Sequence, residues 1–227
     1  MLLDIEGTTT PLDFVYETLF PFARAQTRAF LARLWAEPDV TDLVAQLRIE
    51  HAADAAAAPA WAEDPAGATR YVHWLMDQDR KSTCLKALQG RVWEEGYAQG
   101  SLRGVVYDDV PRAFARWRGQ GRRLAIFSSG SVLAQKLIFG HSTAGDLTPQ
   151  LEAFFDTNTG PKREAESYLR IAGALRVRPG ASLFLSDVVA ELDAARAAGM
   201  ATILSVRSGE APATDHPAVK DFDAVLP

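Results

Sequence analysis

A chain of 227 residues, 48% hydrophobic and 23% charged, has the size of one large domain or of a core with an inserted subdomain, and it can bury a substantial apolar interior. Its net charge of −5 argues against a bulk nucleic-acid or membrane-surface binder, and its single cysteine, Cys84, excludes an internal disulfide and a cysteine-based metal cluster. No basic leader and no apolar run of membrane-spanning length is visible, so a soluble, cytoplasmic protein in a reducing compartment is expected.

The chain opens on LLDIEGTTTP, residues 2–11, which places Asp4 and Glu6 directly after a few apolar residues. Only Met1, Leu2 and Leu3 precede Asp4, fewer than the about 5–6 residues of a typical strand. The first strand is therefore expected to be short, or to begin upstream of Met1. Residues 13–100 change character. Val15, Leu19, Phe22, Phe30 and Leu34 recur near helical spacing, as do Val44 and Leu47, then Val72, Leu75 and Met76. The alanine-rich stretch 51–68 reads as a helix end and a loop. This predicts an all-helical insertion after the first strand.

Near residue 101 the pattern changes again. VVYDDV (105–110) is expected to lead into a helix over about 111–118. Three short apolar runs read as buried strands: RLAIFSSG (123–130), ASLFLSD (181–187) and ATILSV (201–206). Helical patterns at 132–139, 164–175 and 189–198 separate them, the last closed by Gly199 as a C′ glycine, and FDAVL (222–226) is expected as a small edge strand. Alternating strands and helices predict an α/β fold, a doubly wound parallel sheet covered on both faces. Residues 1–12 and 101–227 would form this core, and 13–100 the helical cap inserted into it.

In such a sheet, ligands bind beyond the carboxyl ends of the strands. The polar residues there are Asp4 and Glu6 after the first strand, Ser128, Ser129 and Ser131 after residue 127, and Ser186 and Asp187 farther on. A rim of this composition suits phosphoryl transfer. A carboxylate can attack phosphorus and form an acyl phosphate. Because the substrate is itself anionic, a hard cation such as Mg²⁺ is needed to offset repulsion, while serine hydroxyls and helix N-terminal amides hold the phosphoryl oxygens. Lys162, 34 residues beyond Ser128, supplies a positive charge for the transition state.

These motifs, in this order, resemble those of the haloacid dehalogenase superfamily, with Glu6 standing where most members carry Asp. DIEGTTTP, DRKSTCLKALQGRVW, FSSGSVLAQKLIFGHSTAGD, FFDTNTGPKREAESY and FLSDVVAELDAARAAGM are together similar to the enolase-phosphatases of methionine salvage. The resemblance runs over nearly the whole chain and is weakest at 51–68. It implies a bifunctional enzyme using one Mg²⁺ per chain. Such enzymes enolise 2,3-diketo-5-methylthiopentyl-1-phosphate and then remove its phosphate, leaving the acireductone. By motif position, Asp4 would be nucleophile and metal ligand. Glu6 would be general acid/base at the metal site, and Asp187 would complete that site. Ser128 and Ser129 would bind the phosphate and Lys162 would pair with it. Glu191, four residues beyond Asp187, is either an outer acid of the site or an ordinary helix residue. The resemblance also implies a monomer, with the insertion as a lid over a small phosphorylated diketone and with no nucleic-acid or membrane partner.

Each residue alone has a plainer reading: a strand-end turn for Asp4 and Glu6, a helix cap for the serines and for Asp187, a surface lysine for Lys162. Their ordered recurrence at strand ends favours chemistry. Rival functions are a Mg²⁺-dependent phosphatase acting on another small ester, a dehalogenase, and a non-catalytic phosphate-ligand sensor. A dehalogenase has no need of Glu6 or the metal, and a sensor has no need of a nucleophile. Cys84 reads as apolar filler, and His51, His73 and His216 show no ligand spacing. Arg80, Lys81 and Lys86 either line a cap–core cleft or form a solvated helix face.

Overall fold

The computed structural model describes residues 1–80 and 82–226 and divides them into two compact units. The first comprises Met1–Val15 and Arg103–Pro227, the second Tyr16–Leu102.

A six-stranded, all-parallel sheet organises the first unit. Its strands are β1 (Leu2–Leu3), β2 (Ala125–Phe127), β3 (Ala153–Phe155), β4 (Leu183–Ser186), β5 (Ala201–Ser205) and β6 (Ala218–Val219), in the order β3-β2-β1-β4-β5-β6. β1 is central though only two residues long. Its neighbours extend the pairing past both ends: Ala125 N–H donates to Met1 O at 2.9 Å and Asp4 N–H to Leu185 O at 3.0 Å. Leu2 pairs with Ala125 and Phe184, and Leu3 with Ile126 and Leu185. This register carries Asp4 out of the sheet beside the ends of β2 and β4. Winding reverses between β1 and β4, so Asp4 stands at the topological switch point.

Strand pleating divides the apolar residues between two helical layers. Leu2, Ala125, Phe127 and Phe184 join Tyr168 and Ile171 of α7 (Ala165–Ala174) and Leu192 and Ala195 of α8 (Val189–Ala197) in one core. On the alternate face, Phe154 meets Phe139 of α6 (Val132–Gly140), which meets Phe114 of α5 (Asp109–Gly119). Gly199 has φ +89° and follows the last turn of α8, as the C′ reading expects.

Three details differ from the sequence expectations. The helix after VVYDDV begins at Asp109. β3 lies in a stretch not assigned as a strand. FDAVL forms turns, and the last strand is the preceding Ala218–Val219. Its apolar residues serve packing: the Phe222 ring lies 5.4 Å from Trp117, and Trp117 Nε1–H donates to Val225 O at 2.9 Å.

The second unit is helical. A π-helical turn at Phe14–Leu19 leads into α1 (Phe20–Leu34), followed by α2 (Pro38–Asp54), α3 (Pro65–Asp77) and α4 (Thr83–Ala98). Leu19, Phe30, Val44, Leu47, Val72 and Leu75, marked by helical spacing, are buried, while Phe22, Leu34 and Met76 are half-buried. Asp64 caps α3 through Gly67 N–H at 2.6 Å, and Ser82 caps α4 through Leu85 N–H at 3.0 Å. The alanine-rich stretch ends α2 and loops to Asp64 before α3 begins. Among the described residues no helix is long and apolar enough to cross a membrane.

Candidate active site

The loop after β1 is a tight, closed turn. Ile5 O accepts the N–H groups of Thr8, Thr9 and Thr10 at 2.9–3.1 Å, and Gly7 N–H donates to Thr10 O at 2.9 Å. Gly7 has φ +67°, and a Cβ there would lie 2.2 Å from Asp187 Oδ2. The glycine thus serves two needs, a left-handed turn and the close approach of the β4 acid. Asp4 is buried; its Oδ1 accepts Ile5 N–H at 2.8 Å, and Thr9 Oγ1–H donates to its backbone oxygen at 2.9 Å. Glu6 is half-buried two residues on.

Lys162 is far from a surface lysine. Only 7% exposed, it places Nζ 2.7 Å from Asp4 Oδ1 and 2.5 Å from Glu191 Oε2. The approach to it is built by Gly160, whose φ is +144° and where a Cβ would lie 2.3 Å from Ser167 Oγ. Tyr168 O–H then donates to Lys162 O at 2.7 Å. Ser186 links the acids. Its hydroxyl oxygen accepts Val188 N–H at 3.1 Å and lies 3.1 Å from both Asp4 Oδ2 and Glu191 Oε2. With one proton, it donates to one of those carboxylates at a time.

The end of β2 contributes the serines. Ser128 is buried, and its oxygen accepts Gly130 N–H at 3.2 Å, leaving its own O–H as a donor. Ser129 is exposed. The helix cap is Ser131, which accepts Ala134 N–H at 3.3 Å. Gln135 fixes the loop, its Nε2 donating to Gly130 O and Phe155 O at 2.8 Å each.

The electrostatics record an excess of acid. Burial, reinforced by the Asp4 charge, pushes Asp187 from its ordinary 3.8 up to about 6. The same two causes push Glu191 above the ordinary carboxylate range, although Lys162 and Ser186 favour its ionised form. Burial opposes the charge on Lys162, but Asp4 and Glu191 prevail and hold its pKa above that of a free lysine. Among the described residues no three His, Cys, Asp or Glu side chains close into a ready metal-binding group.

Asp4, Lys162 and Glu191 are therefore in direct contact, with Asp187 against the same loop and Ser128 on the neighbouring strand end. Ser186 and Gln135 had no assigned role from sequence. Ser186 had a visible signal, a polar residue ending an apolar strand; Gln135 lay inside a helical pattern and had none. Elsewhere, Arg80 is held on Asp54 at 2.9 Å, Lys86 is half-buried on α4, and Lys81 lies outside the described residues. Cys84 is buried, and desolvation followed by the Glu50 carboxylate pushes its thiol up to about 12.

The chain is similar to known proteins over nearly its whole length. The family model for haloacid dehalogenase-like hydrolases matches residues 1–199. An enolase-phosphatase E1 from Synechococcus elongatus is 55% identical over 93% of this chain and 90% of its own length. One from Methylococcus capsulatus is 49% identical over 100% and 97%. Among solved structures, the UTR4 protein of Saccharomyces cerevisiae superimposes with a TM-score of 0.83 at 34% identity, covering 99% of this chain and 98% of that one. The chain belongs to the haloacid dehalogenase-like hydrolases and, among them, to the enolase-phosphatases.

Proposed function

We propose that the protein enolises 2,3-diketo-5-methylthiopentyl-1-phosphate and then hydrolyses its phosphate to give the acireductone, with Asp4 as nucleophile and Glu6 as proton carrier. The observation that carries this reading is the contact of buried Lys162 with both Asp4 and Glu191 at the switch point, beside the Ser128 hydroxyl. Lys162 holds the Asp4 side chain in place through its 2.7 Å contact and offers positive charge to the transferring phosphoryl group. Ser128, with Ser129 beside it, donates to the phosphoryl oxygens. Asp4 attacks phosphorus as the enol oxygen leaves, forming an aspartyl phosphate. Glu6 protonates that leaving group and later deprotonates the water that hydrolyses the intermediate. Because an enol leaves more readily than an alkoxide, enolisation first lowers the second barrier. The same Glu6, one methylene longer than Asp, is the base proposed to take the C1 proton.

The donor set fits one Mg²⁺ per chain. Asp4, Glu6 and Asp187 would hold it. They offer only oxygen, the donor type Mg²⁺ takes, and Asp187 is buried beside the Asp4 charge, which a cation would offset. Mg²⁺ needs no preformed protein cage, since it keeps several waters and relies on one or two carboxylates plus substrate phosphate. When bound, it screens the phosphate dianion from Asp4. We also propose residues 1–12 and 101–227 as the catalytic core, 13–100 as the cap, and a cytoplasmic monomer acting on this small phosphate ester.

The test is deuterium exchange at C1 in Glu6→Gln with Mg²⁺ present. A loss of exchange of roughly 100-fold or more is expected for a missing general base. Exchange at the wild-type rate would eliminate Glu6 as that base. A phosphatase specific for another ester would show no enol absorbance from the diketone before phosphate appears.

A further inference from the structure

Arg207 follows the end of β5 and takes no part in the chemistry above, yet its side chain is 7% exposed and faces Asp109, itself 9% exposed. Nη1 lies 2.9 and 2.8 Å from the two Asp109 oxygens, while Nε and Nη2 both donate to a single acceptor, Thr8 O, at 2.9 and 2.7 Å. The rings of Tyr107 and Phe222 each lie 4.3 Å from its Cζ. Phe222 N–H donates to Asp109 Oδ2 at 2.6 Å. All three guanidinium nitrogens thus have acceptors, Nη1 reaching Lys220 O at 3.4 Å as well, and one edge is spent on a backbone carbonyl of the loop that follows Asp4 and Glu6.

A buried ion pair is in itself weak evidence for stability, because desolvation offsets most of its attraction. Its effect here is geometric. Thr8 N–H and Thr10 N–H already close the turn on Ile5 O, Tyr107 N–H binds Thr9 O at 3.1 Å, and Ser205 Oγ–H reaches Gly7 O at 3.4 Å. The Thr8 carbonyl, with two donors at 2.7 and 2.9 Å, is the shorter of the two ties between this turn and the β5 side of the sheet. From Arg207 and Asp109, we infer that this pair is a positioning device. It acts through Thr8 O to hold Gly7 against Asp187 and to set Glu6 for proton transfer, a role that rests on the Asp4 and Glu6 assignments above. Lysine cannot replace it, since one ammonium cannot span Thr8 O and both Asp109 oxygens as the planar fork does. Phosphate binding should be spared, because Ser128 and Ser129 sit on another strand end.

The test uses the full chain in two variants, R207K and the double variant R207M/D109L, which removes both charges so that neither is buried alone. Each is expected to remain folded, the double variant melting lower because Phe222 N–H and Thr8 O lose buried partners. In each, kcat should fall roughly 10- to 100-fold, as for a reacting group displaced by a fraction of an ångström. KM for the diketone phosphate should stay within about threefold, so that the loss falls on kcat and not on substrate binding. A folded variant with wild-type kcat overturns the proposal. So does a loss of kcat that only tracks loss of folded protein, and so does failure of both variants to fold, which would make the pair a determinant of folding. Asp4→Asn separates the two levels. If it releases phosphate at the wild-type rate, the acid-loop reading falls and takes this proposal with it. An inactive Asp4→Asn beside a fully active R207K overturns the positioning role alone.

Discussion

Gly7 shows how narrowly the site is specified at single residues. It adopts φ +67°, and Asp187 Oδ2 occupies the space a methyl group would need. In Gly7→Ala the left-handed backbone alone should destabilise the fold by about 1–2 kcal/mol. The larger effect should be on activity, because relieving the overlap moves Asp187 or the turn away from Asp4. A displacement near 1 Å corresponds to roughly a hundredfold in rate. Steady-state phosphate release measured beside a denaturation curve checks this; near wild-type turnover in a folded Ala variant would show that the close approach has no catalytic consequence. Asp4, Glu6 and Asp187 stood out in the sequence because each interrupts or ends an apolar run, whereas Lys162 lies in a polar stretch and was singled out by its place in the motif order. Ser186 and Arg207 were not assigned, since their partners lie 182 and 199 residues away in sequence, at Asp4 and Thr8.

Among the elements, the helices after residue 131 and the strands at 125–127, 183–186 and 201–205 follow the apolar runs closely, because a buried parallel strand is a short continuous apolar segment. β3, Ala153–Phe155, carries a weaker signal because Glu152 and Asp156 bound its three apolar residues and cut the apolar run short. FDAVL misled in the opposite direction. Its short apolar run reads as an edge strand, but the Phe222 ring packs on Trp117, Trp117 Nε1–H binds Val225 O, and Arg116 ties the segment down through Phe222 O at 2.6 Å. Tertiary packing decided the conformation there, as it often does for segments too short to hold a ladder alone. The two-residue β1 has a related explanation: central position and neighbours on both sides let it form at a length that no isolated strand could sustain.

For the whole molecule, the acid excess links stability to pH and metal. The pKa of Asp187 in the folded chain is raised to about 6 from 3.8. A carboxyl with a raised folded pKa favours folding fully below its unfolded pKa, and that contribution is lost as pH climbs through the folded value. Without metal, Asp187→Asn, which mimics the protonated acid, should therefore gain stability over wild type as pH rises from about 4.5 to 7.5. Mg²⁺ added at the upper pH should stabilise wild type more than the variant. Parallel pH curves, or equal responses to Mg²⁺, would count against the metal assignment.

The most direct measurement is made on Asp4→Asn mixed with 2,3-diketo-5-methylthiopentyl-1-phosphate and Mg²⁺, with enol absorbance and free phosphate followed together. With Glu6 intact and the nucleophile removed, the enol signal should rise and persist while no phosphate appears. Phosphate release at the wild-type rate, with or without a preceding enol signal, would contradict the division of labour between Asp4 and Glu6.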